Sequence, residues 1–327
     1  MKQKIRWGII GLGKIAHSFA KDLQLVKDAE LYAVASRSKE KAEDFGSAYA
    51  VSRTFGSYEE LFACQEVDVV YIATPHTAHC NWSIMAMEAG KAVLCEKPLG
   101  VNTREVEAMI AASEKNNVFL MEALWSRFNP SISKVKEIVD SRELGPVQYL
   151  HADFAFYALD RSEEGRLLNP SLAGGSLLDI GIYPIFLAYL MLGVPDSILS
   201  TTKSHATGVE VQAAMILEYP GCMALLYSGL TSRSEMKAEI SSTRGSIYLH
   251  SRWHESQGYT IDRSGEQEYH ELPTLGKGYS HEIEEVHRCI GAGKRESELW
   301  SHTNSLELMS ILDQVRQENN LLFPFEA

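Results

Sequence analysis

Gly11-Leu12-Gly13-Lys14-Ile15-Ala16 lies between a short apolar run (Ile5, Trp7, Ile9, Ile10) and a segment with apolar residues at helical spacing (Ile15, Phe19, Ala20, Leu23). A G-x-G-x-x-A at a strand-to-helix turn suits a dinucleotide pyrophosphate. Gly11 permits the tight turn, Gly13 lets bare backbone approach the phosphates, and Ala16 keeps the helix close to the sheet. The backbone from Leu12 through Lys14 to Ile15 offers free N–H groups at the helix start, which favour a diphosphate. A glycine turn in an ordinary α/β unit is the plainer alternative; the position near the N-terminus favours the nucleotide.

Three more strand ends carry polar residues. The second strand ends in Ala35-Ser36-Arg37-Ser38. An NAD site usually has Asp or Glu there for the ribose 2′-hydroxyl, and Ser36 and Arg37 stand in its place. Arginine pairs a 2′-phosphate, so NADP is favoured and NAD remains possible. The next strand ends in Ala73-Thr74-Pro75-His76-Thr77-Ala78-His79, read as a loop lining the cofactor through Thr74, Pro75, His76 and His79. Thr77 is a candidate helix N-cap. No carboxylate or cysteine joins the two histidines at ligand spacing, so no metal is expected. The fourth strand ends in Cys95-Glu96-Lys97-Pro98, where Glu96 and Lys97 face the expected crevice and Pro98 restricts the backbone around Lys97. A salt-bridged surface turn is the alternative there.

These ends belong to an alternating pattern. Strand-like runs at 5–10, 31–35, 67–73, 92–95 and 118–121 are separated by helical patterns at 14–25, 39–49, 58–62, 77–89 and 103–116. Such alternation predicts a doubly wound parallel sheet whose ligands gather at the carboxyl ends of its strands. A helix at 130–139 and the turn Leu144-Gly145-Pro146 follow, then strand-like runs at 147–157, 199–205, 209–219, 222–229, 236–241 and 246–249. Turn pairs such as Pro220-Gly221 and Arg244-Gly245 separate the later runs. They predict a mostly antiparallel open sheet, and helices near 280–290 and 303–319 close the chain. The expected division is a Rossmann domain over 1–122 and an α+β domain for substrate and dimerisation over 123–327.

The chain has 327 residues, enough for two domains, with 45% hydrophobic and 23% charged residues and a formal net charge of −12. The acidic balance argues against nucleic acid or anionic lipid as a partner. Five scattered cysteines without a C-x-x-C are expected to be reduced thiols, mostly buried, in a cytoplasmic protein. The N-terminus runs straight into the first strand, so no signal peptide is expected. The apolar run 177–194 has nearly membrane-spanning length, but Asp179 and Pro184 interrupt it, so a buried segment is expected. His281 and His287 are six apart, too far for a zincin pair, and are read as helix-surface residues; Gly291-Ala292-Gly293-Lys294 is too short for a phosphate-binding loop.

GLGKIA, ATPHTAH and EKP at these separations resemble the glucose–fructose oxidoreductase/inositol dehydrogenase (Gfo/Idh/MocA) family of nicotinamide-dependent enzymes. Residues 121–130 (MEALWSRFNP) and 174–183 (GGSLLDIGIY) are similar to the dimeric dihydrodiol dehydrogenase/NADP-dependent D-xylose dehydrogenase branch, and the resemblance runs over essentially the whole chain. It implies hydride transfer between nicotinamide and a secondary alcohol of a vicinal diol or aldose, a polyol or sugar substrate, and a homodimer formed through the C-terminal sheet.

Oxidising such an alcohol needs a base at the hydroxyl and a cation favouring the developing alkoxide. Tyr183 and Lys97 fill these roles under the resemblance. Free tyrosine titrates near pH 10, and a neighbouring ammonium favours phenolate. The wider family often has His at the position of Tyr183, whereas this branch has Tyr. Asp179, four residues earlier, is expected in a turn before a helix that begins or kinks near Tyr183, contacting a substrate hydroxyl or Lys97 by family analogy. Trp125 and Phe154 are aromatic candidates for the substrate wall, with Trp253 and Tyr279 as weaker ones. The competing class is a non-catalytic NAD(P)-binding regulator of the same fold.

Overall fold

The computed structural model describes residues 4–326. The chain divides into two compact units, 1–128 with 275–306 and 129–274 with 307–327.

The first unit opens with the predicted alternation: β1 (Ile5–Ile10), α1 (Lys14–Leu23), β2 (Ala29–Ala35), α2 (Lys39–Tyr49), β3 (Arg53–Phe55), α3 (Tyr58–Phe62), β4 (Val69–Ile72), α4 (His79–Glu88), β5 (Ala92–Glu96), α5 (Thr103–Asn116) and β6 (Leu120–Ala123). All six strands are parallel, in the order β3-β2-β1-β4-β5-β6. The order reverses between β1 and β4, where ligands of such sheets bind. β4 and β6 are buried along their whole length, as expected for strands covered on both faces. β3 has only three residues and no apolar run, which is why its sequence does not announce it.

The second unit follows with α6 (Pro130–Ser141), β7 (Val147–Ala155), α7 (Ile182–Leu192), β8 (Ser197–Ser204), β9 (Glu210–Tyr219), β10 (Cys222–Gly229), β11 (Ala238–Ser242), β12 (Gly245–Leu249), β13 (Gly258–Arg263) and β14 (Glu266–Glu271). These eight strands form one sheet, β14-β13-β12-β11-β7-β10-β9-β8, antiparallel except for β7 against β10. The apolar run is buried from 173 to 189 and packs α7 on β7 and β10. Pro184 cannot donate to a carbonyl four residues back; a wider π-helical turn, Leu177–Gly181, precedes it and joins the chain to α7. Gly181 permits the close approach of that turn to β10, because a Cβ there would lie 2.9 Å from Ser228 Oγ.

Two features depart from a linear division at 122/123. The first unit continues to 128, and it takes back 275–306, including α8 (Tyr279–Gly291). The return has specific causes. The buried carboxylate of Asp22, in α1, accepts the N–H groups of Lys277, Gly278 and Tyr279 at 2.9–3.0 Å and so caps α8. Trp7 Nε1 donates to His287 Nε2 at 3.0 Å, and Leu120 N donates to the Arg295 carbonyl at 2.9 Å, on β6. His287 is therefore a packing residue rather than a surface one, and His281 Nε2 accepts the Leu275 N–H. The last helix, α9 (His302–Glu318), crosses the division at 306/307. All five cysteines are free thiols, but only Cys95 and Cys289 are buried, fewer than expected.

Candidate active site

Gly11 has φ +80°, and a Cβ there would collide with the Ala73 carbonyl. The ends of β1 and β4 touch at this point, which only glycine allows. Gly13 differs: its φ is −92°, and the nearest atom to an added Cβ is Gly11 O at 4.0 Å, so its face is open. It starts α1 without any side-chain cap. By contrast Ser38, Ser57 and Asn102 cap α2, α3 and α5 through their side-chain oxygens. Bare N–H groups beside an open glycine fit a diphosphate. Leu12 is buried, while Lys14 is exposed and Ile15 half-buried at the helix start.

Ser36 is buried at the end of β2 and its Oγ accepts the Ser38 N–H at 3.3 Å; Arg37 is exposed beside it. Tyr58, from α3, lies against the Gly11 backbone within the field of Arg37, and burial raises its pKa. Gly11, Arg37 and Tyr58 thus form one locality, to which Tyr58 comes from a separate helix with no motif to mark it.

Thr74 is buried, Pro75 exposed and His76 half-exposed in a short 3₁₀ turn, so the described loop presents 75 and 76 outward. His79, expected among the cofactor contacts, is fully buried. Its Nδ1 lies 2.8 Å from the Pro98 carbonyl and its Nε2 2.9 Å from the Thr74 carbonyl. Its ring ties two loops together rather than facing a ligand. Burial, with a smaller contribution from Lys97, lowers its pKa although the carbonyls oppose this. Glu96 is also buried: Oε1 accepts the Tyr71 hydroxyl and Oε2 the Lys97 N–H at 3.2 Å. Lys97 is half-buried and precedes a cis peptide bond to Pro98. Trp125, 6% exposed, stacks on Tyr279 with ring centroids 4.8 Å apart.

In the second unit, Tyr183 opens α7 one residue in, with Asp179 in the π-helical turn before it. Phe154 of β7 lies 5.4 Å from the Tyr183 ring, centroid to centroid. Three neighbours carry no local signal in the sequence. His254 stacks on Phe154 at 4.3 Å and lies 5.4 Å from Tyr183. Arg166 Nη1 donates to Asp179 Oδ1 at 2.5 Å, from the long connection between β7 and α7. Glu210, at the start of β9, accepts the Leu177 N–H at the head of the π-helical turn. Burial pushes its pKa up to about 7, against the opposing bonds from Leu177 and Ser176. Gly175 has φ +129°, and a Cβ there would run into the Glu210 carboxylate. Trp253 is wholly buried, its Nε1 donating to the Asp153 carbonyl at 2.9 Å, and so belongs to the core. The structure therefore gathers Phe154, Asp179 and Tyr183 in one unit and Gly11, Arg37, Thr74, His76, Glu96, Lys97 and Trp125 in the other.

Residues 5–124 match the model of an oxidoreductase family with an NAD-binding Rossmann fold, and residues 132–248 match the GFO/IDH/MocA C-terminal domain. A trans-1,2-dihydrobenzene-1,2-diol dehydrogenase from Mus musculus is 34% identical over 98% of both chains, and the one from Homo sapiens is 33% identical over 98% of both. Among solved structures, KijD10, a 3-ketoreductase from Actinomadura kijaniata in complex with NADP and TDP-benzene, superposes with a TM-score of 0.87. It is 25% identical, over 96% of this chain and 98% of that one. An aldose-aldose oxidoreductase from Caulobacter crescentus, complexed with glycerol, gives a TM-score of 0.89 at 25% identity, over 97% and 98%.

Proposed function

This chain belongs to the Gfo/Idh/MocA family of NAD(P)-binding oxidoreductases, and from that premise we propose that it transfers hydride between NADP and a secondary alcohol of a vicinal diol or aldose. The observation that carries this reading is the likeness, over nearly the full length, to dihydrodiol dehydrogenases. The sugar oxidoreductase among the structural neighbours supports the aldose side of the range.

The bare amides of α1 hold the pyrophosphate and Arg37 pairs the 2′-phosphate, which makes NADP the preferred cofactor and NAD the second choice. When bound, the nicotinamide supplies the hydride acceptor or donor. Tyr183 takes the hydroxyl proton in oxidation and returns it to the carbonyl oxygen in reduction. The Lys97 ammonium favours its phenolate and the developing alkoxide. Asp179, steadied by Arg166, accepts a hydrogen bond from the neighbouring hydroxyl. The apolar faces of Phe154 and Trp125 help exclude water from the reacting carbon.

A panel of polyols, aldoses and cyclic diols, followed by NADPH absorbance, tests the activity. Turnover with at least one of them is expected; tight NADP binding without reduction across the panel would favour the regulator. Lys97→Met and Tyr183→Phe should each lower kcat by at least about a hundredfold while sparing cofactor affinity. Near-normal turnover in either variant removes that residue from its role.

The reading extends to a homodimer. On the outer face of the eight-stranded sheet, the register aligns Leu199, Ile216 and Leu225 across β8, β9 and β10. Leu199 is 58% exposed and nearby Met223 46%. A second copy of this chain would cover that apolar stripe. Light scattering should give a dimer for the wild type and a monomer for Leu199→Glu combined with Leu225→Glu; a monomeric wild type would refute the assignment. The same reading keeps the protein in the cytoplasm, where its free thiols stay reduced.

A further inference from the structure

Three consecutive residues of the Lys97 turn are held through their backbone by buried ionisable side chains of the first unit. Glu96 Oε2 accepts the Lys97 N–H at 3.2 Å, His79 Nδ1 meets the Pro98 carbonyl at 2.8 Å, and Glu122 Oε1 accepts the Leu99 N–H at 2.9 Å. Each holder is fixed in turn. The Tyr71 hydroxyl donates to Glu96 Oε1, and the Tyr71 ring stacks on Phe19 at 3.7 Å. Glu122 Oε2 accepts Ser305 Oγ at 2.7 Å and Trp300 Nε1 at 3.1 Å. Tyr71 and His79 are wholly buried, and Glu122 is 2% exposed.

Burying three ionisable groups costs desolvation free energy that a solvent-facing turn would never incur. An ordinary sheet connection needs no such arrangement. What the three contacts share is the segment carrying Lys97. Glu282, on α8, adds to the picture. Its burial, with Glu96 and Asp22 close by, pushes its carboxyl well above the usual carboxylate range.

We propose that Tyr71 and Glu122 are positioning residues for Lys97, acting on hydride transfer through the backbone of residues 97–99 without touching cofactor or substrate. The inference rests on the role given to Lys97 above, and the test separates the two. Tyr71→Phe removes one hydroxyl and keeps the stack on Phe19; Glu122→Gln keeps one acceptor oxygen for Leu99. Single-turnover rates are measured with the best alcohol of the panel, NADPH affinity by fluorescence titration, and Tyr71→Phe is repeated in a Lys97→Met background. Each single variant is expected to lower the rate about 5- to 50-fold, with NADPH Kd within about twofold of wild type. Tyr71→Phe should cost Lys97→Met less than about a further twofold, because the group it positions is already gone. Near-normal rates in the single variants, alongside a slow Lys97→Met, overturn the positioning role alone. An equal loss from Tyr71→Phe in both backgrounds also overturns it, as does a rate that falls in step with NADPH affinity. A fast Lys97→Met defeats the role of Lys97 and takes the positioning role with it. If Glu122→Gln does not fold, Tyr71→Phe decides the question.

Discussion

Replacing Glu210 by glutamine should make the protein more resistant to unfolding as pH rises, by an amount that follows from the site. The ordinary glutamate value is 4.5, and burial pushes Glu210 up to about 7. In the unfolded chain the group ionises through pH 4.5, while in the fold it keeps its proton until about 7. Stability tied to Glu210 is therefore full below pH 4.5, declines between 4.5 and 7, and levels above 7. At about 1.4 kcal/mol per pH unit, the span corresponds to about 3 kcal/mol. Glutamine has no proton to lose, and its amide oxygen can still accept the Leu177 N–H. The offset between variant and wild type at pH 4.5 depends on how well the amide packs, but the growth of the difference with pH does not. Urea unfolding from pH 4.5 to 8 should show Glu210→Gln gaining about 3 kcal/mol on wild type, or about 4 °C in the midpoint of a thermal scan of the 327-residue chain. A difference that stays constant over that range would show that Glu210 is not held neutral at its low-pH end, and the account of the turn before Tyr183 would fail.

The features legible in the sequence are those written locally. The strand–glycine–helix order of residues 5–23, the alternation through 116 and the proline-marked start of α7 each need only neighbouring residues, and the structure follows them. The features that escaped are those made by distant parts of the chain. Nothing near 275–306 says that the segment returns to the first sheet; its partners are Asp22, Trp7 and Leu120, far away in the chain. Glu210 shares its strand parity with Gln212, Ala214 and Glu218, which are half-buried or exposed, so alternation assigns it to the solvent face. It is buried because the π-helical turn presents unpaired N–H groups to it. His79 shows the converse error. A histidine on a loop at a strand end reads as a ligand contact, but two backbone carbonyls claim its ring. A strand-end position shows that a residue is near a crevice; the direction of its side chain depends on partners the local sequence does not contain.

Arg37→Ala should raise the KM for NADP about tenfold and leave that for NAD nearly unchanged, because one charge-assisted pair to a 2′-phosphate is lost; equal effects on both would remove Arg37 from that site. Asp22→Ala strips three N–H groups of their acceptor and should cost about 3 kcal/mol, with new proteolytic cleavage near residues 275–279; unchanged resistance would show that α8 is held by other contacts. Gly13→Ala tests the nucleotide turn itself. At Gly11 a methyl group meets the Ala73 backbone in the left-handed region, so alanine there would damage fold and binding together and tell them apart poorly. At Gly13 the backbone is already in a region open to alanine, and among the described residues no atom outside the turn lies within 4 Å of the added carbon. The unfolding midpoint should therefore move by no more than about 2 °C, since no strain and no collision is introduced. If the pyrophosphate lies against that bare face, the methyl group displaces it, and NADPH affinity should fall at least about tenfold. Native stability with weakened binding would support the placement of the phosphates. Native stability with native affinity would mean that the dinucleotide does not use this turn.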